Sequence, residues 1–251
     1  MANLRHRAIE TNALDHDAVC KTCWAKTLSF CEPHHTESLR GFFDSATCLK
    51  VNPGTVFIHD GAKFPYYFNI NRGATRSFKI LPDGRRQILS FGFPGTLIGL
   101  SQYSNFEFNI EAINEVSLCR FSKDKVDYYS NKHPELRKSL MERMIYELSE
   151  SYAHAVALGK MSARERLAYF LIKQNKADYK IYGQLNKVTL PMNRYDISDY
   201  LGVTTETISR TFTQFESEGL ITFIKSSEII LRDRRRLATL AAGAIAASPA
   251  W

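Results

Sequence analysis

Short apolar runs separated by turn residues fill the chain between Ala46 and Phe121. Glycines at positions 54, 61, 73, 84 and 95 mark successive turns. Runs of this length with regularly spaced turns are typical of an antiparallel sandwich or roll. We therefore predict β-strands over residues 47–51, 55–59, 66–71, 74–80, 85–93, 106–112 and 116–121.

The pattern becomes helical after Lys123. A short helix over 123–130 is predicted to precede a long one from Pro134 to about Lys160, because proline suits a first helical turn. Positions on the long helix repeat at spacings of three and four, as in a coiled-coil seam. The predicted homodimer interface consists of Met141, Met144, Leu148, Ser151, Ala155 and Leu158. The same stripe could instead pack against its own domain.

A further helix is predicted over 163–174. Ser162 and Glu165 are spaced to form a capping box at its start. The polar stretch 175–187 is predicted to be a loop, and residues 188–191 a short strand.

Residues 193–215 have the pattern of helix, tight turn and helix. Ile197 and Leu201 are predicted to face inward on the first helix, and Gly202 to end it with positive φ. The predicted buried side of the second helix consists of Ile208, Phe212 and Phe215. Residues 219–224 and 227–232 are predicted to form a hairpin, the wing of a winged helix.

Four polar residues lie near the start of the second helix on its open face: Thr205, Glu206, Ser209 and Arg210. A recognition helix presents side chains to the major groove from this position. Arginine can bind guanine with two hydrogen bonds, glutamate can accept one from cytosine, and hydroxyls can contact phosphate or base. The pattern predicts binding to double-stranded DNA. The alternative is a helical hairpin used for protein contacts.

Charge agrees with a polyanionic partner. The 251 residues carry a formal net charge of +7, and the C-terminal part from Lys160 holds 14 basic against 9 acidic residues. A basic face in a cytosolic protein usually binds nucleic acid. No apolar run reaches the roughly 18 residues of a membrane span, and the charged start is not a secretory signal. We expect a cytoplasmic protein with no membrane partner.

Three of the five cysteines, Cys20, Cys23 and Cys31, fall within a polar N-terminal segment. Because cytosol is reducing, a disulfide framework is not expected. Clustered thiolates suit zinc, with His34 or His35 as a further ligand, or an iron–sulfur cluster. A cluster needs a fourth thiolate, which Cys48 or Cys119 could supply. The alternative is that these cysteines are spare or buried thiols.

The resulting organisation has five segments. They are a cysteine-rich segment (1–36), a β-roll (37–130), a dimerisation helix (131–161), a winged helix-turn-helix (162–236) and an alanine-rich tail (237–251). The predicted fold class is α+β, an antiparallel β-roll similar to a cyclic-nucleotide-binding jelly roll, joined by a long helix to a winged helix-turn-helix.

This order of elements over residues 36–236 resembles the CRP/FNR family of bacterial transcription regulators. Leu201-Gly202 followed by Glu206-Thr207-Ile208-Ser209-Arg210 is similar to the signature of its FNR branch. The resemblance implies that Glu206, Ser209 and Arg210 read half-sites of a TTGAT-N4-ATCAA palindrome. It also implies contacts to RNA polymerase, for which the turn at residues 81–86 is one candidate surface.

The cysteines resemble those of the FNR oxygen sensor, which holds a [4Fe–4S] cluster through an N-terminal trio and one cysteine late in the β-roll. This resemblance assigns the ligands to Cys20, Cys23, Cys31 and Cys119. The seven residues between Cys23 and Cys31 are similar to the spacing of FixK- and AadR-type relatives. We identify no counterpart of Cys48 in the family, and its expected role is a small apolar residue on a strand.

Two family features do not carry over. The run Leu97-Ile98-Gly99-Leu100-Ser101-Gln102 lacks the glutamate that grips a cyclic nucleotide's ribose, and no arginine lies between Arg86 and Arg120 to hold its phosphate. We therefore expect no cyclic nucleotide. The neutral Ser151 stands where oxygen-gated dimers are helped by a repulsive charge.

The expected function is an activator of anaerobic or microaerobic genes. The alternative is a FixK-like regulator of the same fold whose cysteines bind zinc or no metal and which oxygen does not control. No catalytic pattern is found, so an enzyme is not expected.

Overall fold

A computed structural model describes residues 23–25, 29–31, 39–63, 65–99 and 105–242. Cys20, His34 and His35 lie outside these residues. Contacts divide the chain into two compact units. The first consists of Met1–Arg85 and Leu89–Met144, and the second of Arg86–Ile88 and Ile145–Trp251.

Eight strands form the β-roll, close to the predicted positions. They are β1 (Thr47–Val51), β2 (Val56–Ile58), β3 (Tyr66–Arg72), β4 (Thr75–Ile80), β5 (Arg86–Gly92), β6 (Leu97–Ile98), β7 (Asn109–Ala112) and β8 (Val116–Ser122). One sheet has the order β1-β8-β3-β6 and the other β2-β7-β4-β5. The short β6 is an element that the sequence pattern did not predict.

Alternating strand residues fill the interior of the roll. The fully buried core includes Val51, Ile70, Ala112, Val116 and Leu118. These come from strands far apart in sequence, so each strand buries its apolar face only when the whole roll has closed.

A second hydrophobic cluster lies at the end of β8, where helices meet the roll. Helix α1 (Arg40–Phe43), helix α2 (Lys123–Lys132) and the long helix α3 (Pro134–Lys160) border this region. Ser122 caps α2 by accepting a hydrogen bond from the Lys125 amide. The cluster includes Phe42, Phe121, Leu136 and Leu140, and it joins β8 to the first turns of α3.

The second unit contains a winged helix. Its elements are α4 (Ala163–Tyr182), β9 (Lys187–Thr189), α5 (Arg194–Leu201), α6 (Thr205–Ser217), β10 (Ile221–Lys225), β11 (Glu228–Leu231) and α7 (Arg234–Ala241). The three strands form one antiparallel sheet of order β10-β11-β9. The predicted capping box at Ser162 and Glu165 is confirmed.

The loop predicted over 175–187 is wrong for residues 175–182, because α4 continues to Tyr182 and ends at Gly183 in the left-handed conformation. Two polar residues of this stretch, Asn175 and Asp178, are buried and hydrogen-bonded. Asn175 donates from Nδ2 to the Lys187 carbonyl at 3.1 Å, and the Asp178 carboxylate accepts from the Thr189 amide. The polar composition therefore predicted an exposed loop, whereas in the structure these side chains form hydrogen bonds to the backbone of β9.

Helix α7 is also absent from the sequence prediction. Asp233 caps it by accepting from the Arg236 amide at 2.9 Å, and Leu237 and Ala241 are buried. It crosses the predicted boundary between the winged helix and the tail. Three consecutive arginines concealed its short apolar face.

Candidate cysteine site and nucleic-acid interface

Cys119 lies on β8 between a cysteine on one neighbouring strand and an asparagine on the other. Its directly opposed residue on β1 is Cys48, and on β3 it is Asn69. The Sγ atoms of Cys48 and Cys119 are 3.8 Å apart. Both residues are buried, at 2% and 5% exposure.

Asn71 connects Cys119 to the N-terminal cysteines. Its Nδ2 donates to Cys119 Sγ at 3.2 Å, and its Oδ1 accepts from Cys23 Sγ at 3.6 Å. The amide therefore joins two of the four predicted ligands, although 48 residues separate it from each.

Sequence reasoning missed Asn71. The available signal was two asparagines, at 69 and 71, inside an otherwise apolar strand. Both are buried, and within the described part of the chain Asn69 Oδ1 has no hydrogen-bond partner. Buried amides in a strand require hydrogen-bond partners. The part of β3 that contains Asn69 and Asn71 is therefore a polar site.

The environment favours a protonated thiol at Cys119. The contact with Cys48 and then burial raise its pKa well above the ordinary value, while the Asn71 donor opposes them. A metal would reverse this preference, because coordination deprotonates a thiol.

Cys31 lies beside the same region. Its amide donates to Ser29 Oγ at 3.2 Å, and its side chain packs against the cluster that contains Cys48 and Cys119. The preceding Phe30 is buried with its ring edge-on to Phe121, at a centroid distance of 5.4 Å.

Three of the four predicted ligands thus border one region of the roll, and the fourth, Cys20, lies outside the described residues. Within the described ranges no three histidine, cysteine or acidic residues are grouped closely enough to hold a metal ion. The donor set fits an iron–sulfur cluster in chemistry, since every candidate is a thiol and a buried amide donor already faces one sulfur.

The helix-turn-helix is assembled from local signals. Asn193 caps α5 by accepting from the Asp196 amide, Gly202 ends it with φ of 63°, and Thr204 caps α6. Position 202 also leaves little room for a side chain, because a Cβ added to Gly202 would lie 3.2 Å from Leu158 Cδ2. The predicted inward residues are all buried: Ile197, Leu201, Ile208, Phe212 and Phe215.

The predicted reading residues lie at the start of α6. Glu206 and Arg210 form an ion pair with side-chain exposures of 70% and 79%. Ser209 is exposed, and its hydroxyl donates to the Thr205 carbonyl at 2.9 Å. Thr205 is half-buried, and its Oγ1 lies 3.0 Å from Ser198 Oγ, so its hydroxyl supports the turn.

Apolar side chains are exposed along α3. Of the predicted seam, Met141, Met144 and Leu148 are exposed, as are Ser151 and Ala155. Leu158 is half-buried beside Gly202. The exposed apolar face also contains three residues that the predicted seam left out: Ile145, Tyr152 and Val156.

A buried polar cluster links α3 to the winged helix. The rings of His154 and Tyr200 are 4.0 Å apart, and Lys173 Nζ contacts Glu150 Oε2 at 2.8 Å. Burial, reinforced by the charge of Lys173, lowers the pKa of His154 to about 4. His154 is therefore neutral at pH 7.

A β-roll, a long helix with an exposed apolar face and a winged helix-turn-helix define a DNA-binding transcription regulator. The sequence pattern of the Crp-like helix-turn-helix domain matches residues 165–240, and that of the cyclic nucleotide-binding domain matches residues 48–133. The chain belongs to the CRP/FNR family, as the sequence predicted.

Relatives span nearly the whole chain. It is 37% identical over 224 residues to the nitrogen fixation regulation protein FixK of Bradyrhizobium diazoefficiens, covering 89% of this chain and 94% of the relative. It is 31% identical to the transcriptional activatory protein AadR of Rhodopseudomonas palustris, covering 89% and 93%.

The solved structure of FixK2 from Bradyrhizobium japonicum superposes with a TM-score of 0.72 at 31% identity, covering 78% of this chain and 96% of that one. The predicted fold class is confirmed. The protein is a transcriptional activator of the FixK/FNR type, not an enzyme. Among the described residues, no helix is long and apolar enough to cross a membrane.

Proposed function

We propose that this activator senses oxygen through a [4Fe–4S] cluster held by Cys20, Cys23, Cys31 and Cys119. The observation that carries the proposal is the bridge from Cys23 through Asn71 to Cys119, with hydrogen bonds of 3.6 and 3.2 Å. It supports the pairing of an N-terminal cysteine with the late cysteine of the roll.

The three proposed ligands that the structure describes each have a role that the chain's own contacts support. Cys119 is fixed by strand pairing on both sides, and Asn71 Nδ2 supplies an N–H donor to its sulfur, which stabilises the thiolate form that iron requires. The contacts of Cys23 and Cys31 attach the N-terminal segment to the roll. A bound cluster would supply an oxygen-labile link between that segment and β8.

The site is connected to the dimer helix through packing. Phe30, Cys119 and Phe121 share one hydrophobic cluster with Leu136 and Leu140 of α3. Losing the link would loosen Phe30 and change the support of the first turns of α3. A change of packing in an element that also forms an interface is a suitable basis for a switch.

The DNA-binding state is proposed to be a cytoplasmic homodimer on a TTGAT-N4-ATCAA palindrome, recruiting RNA polymerase. Two recognition helices one DNA turn apart read such a site, and the exposed face of α3 centred on Leu148 supplies an apolar interface. No cyclic nucleotide is required. The regulated genes would be anaerobic or microaerobic.

The ligand assignment is tested by anaerobic purification of the full chain and of single Cys→Ser variants. We expect absorbance near 400–420 nm for thiolate-bound iron–sulfur, with iron and sulfide lost in the variants of Cys20, Cys23, Cys31 and Cys119. Cys48→Ser is the matched control and should keep its iron. A colourless wild type, or one that binds zinc instead, contradicts oxygen sensing and favours the FixK-like alternative.

The dimer is tested by Leu148→Glu, since Leu148 is 51% exposed in the centre of the apolar face. Two unpaired carboxylates facing each other in an apolar seam are costly. We expect a monomer by sedimentation that no longer binds the palindrome, while Leu148→Met stays dimeric. A dimeric Leu148→Glu protein would contradict this interface.

A further inference from the structure

The proposed cluster leaves Cys48 without a role, although its position is specific. Cys48 on β1 is the directly opposed partner of Cys119 on β8. The two sulfurs are 3.8 Å apart and lie in one apolar cluster. A strand position that required only a small apolar residue would not need a second thiol here.

The backbone already satisfies the geometry of a disulfide. Opposed residues in antiparallel strands have Cα atoms about 4.5–5.5 Å apart, inside the range of about 4.4–6.8 Å that disulfides span. The sulfurs can approach from 3.8 Å to bonding distance of about 2.05 Å by rotating the two Cα–Cβ bonds.

Access to this pair depends on the N-terminal segment. Phe30 and Cys31 pack against the cluster that contains both thiols, and Cys23 reaches Cys119 through Asn71. While Cys119 holds iron its sulfur cannot bond to Cys48. When the cluster is lost, the Cys119 thiol lies beside the Cys48 thiol.

We propose that Cys48 and Cys119 form a reversible cross-strand disulfide in the cluster-free protein, with hydrogen peroxide as oxidant. One thiol attacks the O–O bond and becomes a sulfenic acid, releasing water. The second thiol displaces the remaining oxygen as a second water, so that one S–S bond forms and the peroxide takes up two electrons and two protons.

The disulfide would prevent the oxidised protein from binding a new cluster. The disulfide removes one cluster ligand until a thiol reductant restores it, and it protects Cys119 from irreversible oxidation to the sulfinic acid. This consequence rests on the proposed function, whereas the disulfide itself requires only the two strands.

The test uses full-length, iron-free wild-type protein. After reduction and desalting it is treated with hydrogen peroxide, free thiols are blocked with N-ethylmaleimide, and peptides are mapped without reduction. We expect two of the five cysteines to lose their thiols and one crosslink to join the peptides of Cys48 and Cys119. Dithiothreitol should reverse it. Crosslinks confined to Cys20, Cys23 and Cys31, or no crosslink, would overturn the inference.

Variants sharpen the result. Cys23→Ser is the matched control and should keep the crosslink, while Cys48→Ser should lose it and accumulate sulfinic acid at Cys119. After dithiothreitol, wild type should accept iron and sulfide again, and Cys48→Ser should recover less. If the chain never holds iron but the crosslink forms, the proposed function fails and this inference stands. If iron binds and no crosslink forms, the reverse holds.

Discussion

The winged helix and the cysteine site are built in opposite ways. The helix-turn-helix depends on caps formed by residues three positions apart, such as Asn193 with Asp196 and Thr204 with Thr207. At the cysteine site, Asn71 lies 48 residues from both Cys23 and Cys119, and Cys48 lies 71 residues from Cys119. The first arrangement is encoded locally, and the second exists only in the folded roll. Changes to the first should therefore be graded, whereas changes to the second should remove the site as a whole.

The largest effects should come from two matched core truncations. Phe121 and Phe215 are both fully buried, the first beside the cysteine site and the second on the buried face of α6. Phe121→Ala and Phe215→Ala should each cost about 3–5 kcal/mol of stability. All five cysteines precede residue 120, so thiol labelling reports only on the first part of the chain.

We expect Phe121→Ala to speed the labelling of Cys48 and Cys119 while protease resistance of the winged helix is unchanged. Phe215→Ala should do the opposite, with loss of DNA binding. Equal effects of either variant on both readouts would show that the two regions unfold as one.

These expectations indicate how much the sequence could reveal. Caps, glycine turns and buried spacing predicted α5, α6 and the wing, because each signal lies inside the element that it specifies. The cysteine trio was visible for the same reason. Asn71 and the pairing of Cys48 with Cys119 were not, since strand register decides them. Asn175 and Asp178 were misread because a buried hydrogen bond and an exposed polar side chain have the same composition.

The next effect concerns pH and the cluster that joins α3 to the winged helix. His154 is buried, its Nδ1 has no hydrogen-bond partner among the described residues, and its folded pKa is about 4 against 6.5 for the free side chain. The unfolded chain therefore binds a proton that the folded chain rejects. The contribution of neutral His154 to the free energy of unfolding is fully present above pH 6.5. It is lost as pH falls towards 4, and the loss amounts to about 2–3 kcal/mol.

His154→Phe keeps a ring against Tyr200 and removes this proton. Urea unfolding between pH 7.5 and 4.5 should show a smaller loss of stability in the variant than in wild type, with little difference at pH 7.5. Parallel curves for the two proteins would contradict a buried neutral histidine. Such a result would also argue against the packing of His154 on α3 against Tyr200 on α5.

Base reading is the next smaller effect. Glu206 and Arg210 pair with each other in the free protein, so a role in base reading would exchange this ion pair for contacts to bases. If Arg210 binds guanine, Arg210→Ala should cost about 1–3 kcal/mol per half-site and relax selectivity at that base pair. Binding to TTGAT-type sites and guanine-substituted variants should be measured at several salt concentrations.

Glu206→Ala separates the two roles of the pair. A reading surface that uses both residues loses discrimination in either variant. If the ion pair serves only the helix, Glu206→Ala leaves discrimination intact. An even loss of affinity across sequences in Arg210→Ala, with a salt slope reduced by about one, would assign Arg210 to phosphate instead.

The smallest effect distinguishes backbone strain from crowding in the turn between α5 and α6. Gly183 and Gly202 both end a helix with left-handed backbone, at φ of 68° and 63°. An added Cβ meets nothing within 4 Å at Gly183, whereas at Gly202 it would lie 3.2 Å from Leu158 Cδ2 and 3.4 Å from Arg166 Nη1. Gly183→Ala should cost about 1–2 kcal/mol from the left-handed conformation alone.

Gly202→Ala should cost the same amount plus a crowding penalty of up to about 1 kcal/mol. Leu158 can shift a methyl group, but the Arg166 guanidinium is held by carbonyls of Met161, Leu158 and Leu201 at 2.8 Å each, so it yields less. Urea unfolding of the two variants gives the difference directly. Equal costs would mean that the turn selects glycine for its φ alone and that the contact of Leu158 and Arg166 with the turn is loose. A larger cost at Gly202 would mean that α3, α4 and the turn are packed as one.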